Sequence, residues 1–359
     1  MNYKWSIKDI KKRSRYLEHL QIKNPDLTDI KLGIVVLQEF IKILQSQDVH
    51  DLETYPILDE FLDEVDYLLS YNFTLNHCGQ LSKIITGVDV LYETKKLEIT
   101  KDEELGIVHD FYKDAVGGKF FETFLKDFNL RGDHLRFNSG WKVVGQTFFI
   151  PIINEAFIES QYKKEFFDIA TLIHEYGHCI HFRLNYNQQE SLKTVPFCEV
   201  VSIFFEILSY YHFSKTEFSR EAILTNGNIW NEYLNDSWDL AEEIKFIRFY
   251  QNNYSINIRH LRSKIKNEFG ISKTYFDQAF QNHYSKNLAY IFSLSIAIEL
   301  LQIYKQDQDK AFYIISKMLA IKEIDSNIIF KELKKLGIYP NTHIKDYEDE
   351  LKRELKLVS

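Results

Sequence analysis

A chain of 359 residues, 45% hydrophobic and 27% charged, has the balance of a folded globular protein and the length for one large domain or two ordinary ones. A formal net charge of -8 without any basic stripe argues against nucleic acid as a partner, and no stretch approaches the ~18 uninterrupted apolar residues of a membrane span. Three cysteines, Cys78, Cys179 and Cys198, make no disulfide framework, and the charged start of the chain does not read as a secretory signal, so the expected location is cytoplasmic.

Glycine (13) and proline (5) are scarce, which favours long helices. Residues 1–100 read as an N-terminal helical region. Leu32, Val35, Val36, Leu37, Phe40, Ile41 and Leu44 recur at helical spacing, as do Leu58, Phe61, Leu62, Val65, Leu68 and Leu69. Asp51 can cap the second run, and Asn24-Pro25-Asp26 is a turn signal between earlier helices. The rest of the chain, 101–359, reads as one continuous region. Helical periodicity persists to about residue 128, and turns follow at 129–132 and 138–140. The segments 141–144 and 147–153 are rich in β-formers and predict strands of a small sheet, with Gly145-Gln146 either a hairpin turn or a bend within one strand. Helical period returns from Gln161 to about Leu184. A polar connector, 185–191, leads to an apolar helix over about 196–211, capped by Thr194 with Pro196 in its first turn. The remainder is helical, with breaks expected near Asn226-Gly227, Gly270 and Gly337 and an amphipathic run over 343–357. The fold class is therefore mainly α with a small β-sheet.

The stretch Thr171-Leu172-Ile173-His174-Glu175-Tyr176-Gly177-His178-Cys179-Ile180-His181 carries the chemistry. At 3.6 residues per turn, His174 and His178 project from one helix face and can converge on one ion. Glu175 lies about 100° around the helix, beside that ion, where its carboxylate can take a proton from a water the metal polarises. Ile169, Ala170, Leu172, Ile173 and Ile180 make the helix apolar, and burying two histidines and a glutamate there is costly unless something pairs them. A catalytic zinc needs a third protein ligand and an open position. Glu199, on the helix that returns after the connector, is the best candidate. Glu206, seven residues further on the same face, could accept the free ring N–H of a ligand histidine. Cys179 and Cys198 read as small core hydrophobes.

These residues resemble a known family. Residues 167–181 resemble the zinc helix of the oligoendopeptidase F and thimet oligopeptidase family. Cys198-Glu199-Val200-Val201-Ser202-Ile203-Phe204-Phe205-Glu206 is similar to that family's third-ligand helix, where the ligand Glu is followed by Ser at plus three and Glu at plus seven. The resemblance implies Glu199 as ligand, with Glu206 and Ser202 supporting the ligands and His181 supporting or packing. Residues 148–154 stand where the family has an edge strand that binds peptide backbone, which implies substrate contacts from Phe149 and Ile150. Residues 328–339 look like the family's closing helices. The resemblance covers roughly residues 105–350 and implies an oligoendopeptidase F-like catalytic domain with a shortened N-terminal helical part. It further implies one Zn2+ per chain and endopeptidase cleavage of short peptides in a deep channel. Family members are longer, so the expected channel is either more open or completed by a second copy of the chain. The family's His- and Tyr-rich helix corresponds to residues 282–292. There His283 and Tyr290 share a helical face and are implied oxyanion donors, Tyr284 is an implied substrate contact, and Phe292 stands where a tyrosine is expected.

The expected function is thus hydrolysis of peptides, with Glu175 as general base. A second expectation is a peptide-binding module that keeps the fold without turnover, motivated by the short N-terminal part and Phe292. A third, a structural metal or interaction protein, would call for cysteine ligands and no open coordination position.

Overall fold

The structure, a computed structural model, describes residues 91–138, 144–150, 155–184, 199–251, 273–320 and 326–358. Apart from Ile150 and Glu155 they belong to one unit, Tyr67–Phe149 with Ala156–Ser359. The helices expected before residue 90, the connector at 185–191, the Thr194 cap, Pro196, Cys78, Cys198 and Gly270 lie outside the described residues.

Helix α1 (Lys101–Phe111) begins on a capping box: Thr100 Oγ1 accepts from the Glu103 amide at 3.3 Å, and Glu103 Oε2 accepts from the Thr100 amide at 2.7 Å. A π-helical turn, Tyr112–Val116, widens its end, and Gly117 (φ 64) breaks the chain before α2 (Gly118–Phe128). The left-handed φ at Gly117 is one that only glycine adopts cheaply. A single helical turn, α3 (Arg131–His134), leads into β1 (Leu135–Asn138).

Among the described residues the sheet has three strands in the order β1-β3-β2, with β2 Gly145–Ile150 and β3 Glu155–Gln161. β1 pairs parallel with β3, Leu135 opposite Ile158 and Asn138 opposite Gln161. The sheet expected from sequence is present, but two of its three strands were unexpected. Asn138 ends β1, and residues 139–143, which hold the rest of the expected turn and most of the first expected strand, lie outside the described residues; β3 occupies residues with no strict alternation, since Ala156, Phe157 and Ile158 are all buried in sequence. Gly145-Gln146 is the start of β2, not a hairpin turn.

The body is helical: α4 (Phe166–Leu184), α5 (Val200–Phe213), α6 (Ser219–Gln251), α7 (Lys273–Gln306), α8 (Gln308–Met318), α9 (Ser326–Lys335) and α10 (Ile344–Val358). α4 packs on α5, α5 on α7, and α6 on both α7 and α10. The break expected at Asn226-Gly227 does not occur, because α6 runs straight through it. Gly227 serves close packing there. A Cβ would stand 3.0 Å and 3.1 Å from the two Leu355 methyls and 3.3 Å from the Tyr92 ring. Gly337 (φ 80) does end α9, as expected.

The abundant aromatics fill the space behind α4. Tyr112 stacks on Phe124 with ring centroids 4.2 Å apart, and Tyr176 meets Phe124 edge-on at 4.9 Å. The Tyr112 hydroxyl donates to the Ile173 carbonyl at 2.7 Å, and Arg183 forms a two-point ion pair with Asp127. Both contacts fix α4 against α1 and α2. At the other end α10 is held by Trp230 Nε1 donating to Glu348 at 3.2 Å and by the Tyr347 hydroxyl donating to Asn226 at 2.9 Å. Among the described residues, no helix is long and apolar enough to cross a membrane.

Candidate metal centre

His174 and His178 lie one turn apart in the middle of α4, and both are buried. Their rings stand 4.9 Å apart and nearly perpendicular, so the two Nε2 atoms can aim at a common point. The third group arrives from α5. Glu199 is the residue immediately before that helix, rather than within it, and its carbonyl accepts the first helical bond from Ile203 at 2.9 Å. Its carboxylate Oε2 lies 3.4 Å from His174 Nε2 and 3.2 Å from His178 Nε2. One donor atom from each of the three residues falls within 4.8 Å of the other two, and among the described residues this is the one His/Cys/Asp/Glu group able to hold a metal ion.

A close helix crossing brings Glu199 this near. A Cβ on Gly177 would sit 2.7 Å from Ser202 Cα and 3.2 Å from its amide nitrogen, so the backbones of α4 and α5 touch where Gly177 has no side chain. Ser202 is fully buried there, and its hydroxyl has no hydrogen-bond partner among the described residues.

The second ring nitrogen of His174 is held from behind. His174 Nδ1 lies 2.8 Å from Glu206 Oε2, and Glu206 Oε1 accepts from the Tyr210 hydroxyl at 3.1 Å. A proton on Nδ1, donated to Glu206, leaves the Nε2 lone pair facing the cluster. Burial disfavours a charged His174, yet the hydrogen bonds to Glu199 and Glu206 outweigh it and hold the ring well above the ordinary histidine value. Burial likewise pushes Glu199 up, but the rings of His178 and His174 hold its carboxyl well below the usual carboxylate range. The cluster therefore favours positive charge at its centre. Two neutral imidazoles and a carboxylate are a donor set suited to a divalent ion such as zinc, with a further position left for a water or substrate.

Glu175 is buried and turns from the cluster towards β2. Its Oε2 accepts from the Thr147 hydroxyl at 2.6 Å, and the same hydroxyl lies 3.0 Å from the Glu175 carbonyl. Gly145 closes the other side: a Cβ there would stand 2.6 Å from Glu175 Oε1 and 2.5 Å from Thr171 Cγ2. Burial raises the Glu175 pKa, with His178, His174 and the Thr147 hydrogen bond acting against it.

The other expected site residues spread around this centre. The Tyr290 ring lies 6.2 Å from that of His174 and nearly parallel to it. His283 and Tyr284 are on the same helix, α7, and nothing is described of their side chains. Phe292 is buried against Phe330. His181 stacks beside Phe182 at 5.8 Å and is outside the three-residue group. Phe149 stacks on Phe182 at 5.3 Å, and Ile150 ends β2. Cys179 is a buried free thiol. Sequence reasoning missed Thr147, Gly145, Gly177 and Tyr210. Only Gly177 left a signal, a glycine in the interior of a strongly apolar helix.

No family model matches the chain, and no curated protein matches it. Solved structures do. A protein assigned as a peptidase from Chlamydophila abortus aligns over 98% of this chain and 62% of its own, with 12% identity and a TM-score of 0.50. A protein assigned as an oligoendopeptidase F from Bacillus anthracis aligns over 99% of this chain and 68% of its own, at 14% identity and TM-score 0.48. PZ peptidase A, solved with an inhibitor, aligns over 99% and 70%, at 12% identity and TM-score 0.45. The chain thus spans about two thirds of the length of these structures. It shares the fold of the Chlamydophila abortus protein, and the mainly helical fold with a small sheet expected from its sequence is the fold observed.

Proposed function

We propose that the chain is a zinc-dependent peptidase with one ion held by His174, His178 and Glu199. The observation that carries this reading is the buried convergence of those three donors, with a glutamate at the next helix position after His174. A bound zinc would supply a polarised water and a Lewis acid for the scissile carbonyl. Glu175 is placed to hold the proton that an attacking water would give up and to return it to the leaving amine. Glu206, braced by Tyr210, holds the His174 ring in the tautomer that presents Nε2. Tyr290, beside His174, and His283 on the same helix donate to the developing oxyanion.

The substrate is a peptide bound in extended form. Among the described residues β2 is an edge of the sheet, and it carries the residues that touch Glu175, so a peptide pairing along its outer side would present a carbonyl near the base. Backbone pairing of this kind tolerates many side chains. Phe149 and Ile150, and Tyr284 on α7, are the proposed substrate contacts.

The test is cleavage of a mixed peptide library by wild type and by Glu175→Gln, read by mass spectrometry, with bound metal measured in both. Wild type should cleave, while Glu175→Gln keeps its metal and loses about 10²- to 10⁴-fold in turnover. An active Glu175→Gln protein would contradict the assignment of the base. Metal-loaded protein that binds peptides and cleaves none would make it a binding module.

A further inference from the structure

We propose that Thr147 is the positioning residue for Glu175, fixing from β2 the direction in which the base presents its carboxylate. The proposal rests on the peptidase reading and adds to it a residue outside the zinc helix.

A glutamate side chain has three rotatable bonds, and position on a helix sets only the direction of its Cβ. The ring contacts that hold His174 and His178 do not reach the Glu175 carboxylate. Two features of β2 do. The Thr147 hydroxyl donates to Oε2 at 2.6 Å, the short length of a charge-assisted bond. Gly145 leaves room for Oε1 where any side chain would collide with it. The carboxylate is thus held on one oxygen by a hydrogen bond and on the other by shape.

The hydroxyl is confined as well. A β-branched side chain is stiff at χ1, and both acceptors within reach of Oγ1, at 2.6 Å and 3.0 Å, belong to Glu175. Its single proton has no competing side-chain destination among the described residues. Thr147 also lies on the sheet's edge strand. The strand proposed to align the peptide therefore orients the base that acts on it, and the distance between scissile carbonyl and base is set within one element. Misplacing a reacting group by about 1 Å can cost on the order of 10²-fold in rate.

The experiment uses the full chain loaded with zinc and three variants. Thr147→Val keeps the shape and removes the donor. Thr147→Ser keeps the donor. Gly145→Ala keeps the donor and fills the space beside Oε1. Zinc content, melting temperature, kcat and KM are measured on a peptide that wild type cleaves. Thr147→Val should lower kcat by about ten- to a hundred-fold with KM and zinc content unchanged, the loss of one hydrogen bond to a charged group. Thr147→Ser should recover most of that loss, and Gly145→Ala should lower kcat although its hydroxyl is intact. A Thr147→Val protein with wild-type kcat overturns the proposal. So do Val and Ser variants that are equally slow in proportion to their melting temperatures, which marks a purely structural contact. Failure of the peptidase reading would show separately, in wild type that cleaves nothing. Titration with a peptide hydroxamate then decides the matter without turnover. Thr147→Val should weaken hydroxamate binding about ten-fold and leave the parent peptide amide unaffected, whereas equal hydroxamate affinities overturn the proposal.

Discussion

Glu206 makes no contact with the centre of the metal cluster, yet it decides which nitrogen of His174 faces it. With Oε2 2.8 Å from Nδ1 and Oε1 taken by the Tyr210 hydroxyl, it has no slack to follow the ring elsewhere. Removing it leaves the imidazole free to turn and leaves a buried ring N–H without its acceptor. Glu206→Ala should therefore weaken zinc binding by about 10- to 100-fold, measured by competition with a metal chelator of known affinity. Unchanged affinity would mean that packing alone orients the ring. Glu206 was legible in the sequence because seven residues are two helical turns, so its relation to Glu199 is fixed by helix geometry. Thr147 was not. Its partner is on another element, and no spacing within the chain records which strand residue a sheet will press against which helix residue.

At the scale of elements, the site depends on how closely α4 and α5 approach. Gly177 and Ser202 meet backbone to backbone, and Phe205 Cδ2 is 3.3 Å from where a Cβ on Gly177 would stand. Backbone cannot retreat as a side-chain tip can, so Gly177→Ala must part the helices. Glu199, the residue that precedes α5, would move away from histidines that stay on α4. The expected result is a loss of about 1–3 kcal/mol in stability together with weaker zinc binding, read by denaturant unfolding of metal-free protein and by metal titration. A stable Gly177→Ala protein with normal affinity would show that the crossing tolerates a wider gap. The helices themselves were readable: α10 carries apolar residues at a period of 3.6, and α4, α5 and α7 are long runs without proline and with at most one glycine. β1 and β3 were not, because four residues are too few to show a period and β3 buries consecutive positions. Gly227 misled for a related reason. Glycine marks breaks in an isolated helix, and in a packed one it equally marks the place where Leu355 and Tyr92 come close.

For the whole molecule, the sequence could distinguish a mainly helical fold with a group of residues able to hold a metal from other classes, but it could not show which charged residues the fold takes inside. Glu104 on α1 is one. It is buried, and neither of its carboxylate oxygens has a hydrogen-bond partner among the described residues. Burial pushes its pKa up to about 8, the neighbouring Asp168 at the start of α4 pushes the same way, and Lys101 opposes them weakly. Asp168 is itself raised by burial, although the amides of Glu165 and Lys163 favour its charged form. Glu104 thus keeps its proton in the folded chain at a pH where an unfolded chain, with the ordinary carboxylate value of about 4.5, has lost it. Between those two values the folded state binds more protons than the unfolded state, so this group's contribution to stability is full below pH 4.5 and declines as pH rises to about 8. The net charge of -8 also works against stability at high pH through general repulsion, so a melting curve of wild type alone would not isolate Glu104. Glu104→Gln separates the two, since the amide keeps the shape and cannot ionise. The two proteins should melt at similar temperatures near pH 4.5 and diverge as pH rises, with the variant more stable by about 1–3 kcal/mol at pH 8.5. Parallel curves across that range would mean that Glu104 is already ionised in the folded protein at neutral pH.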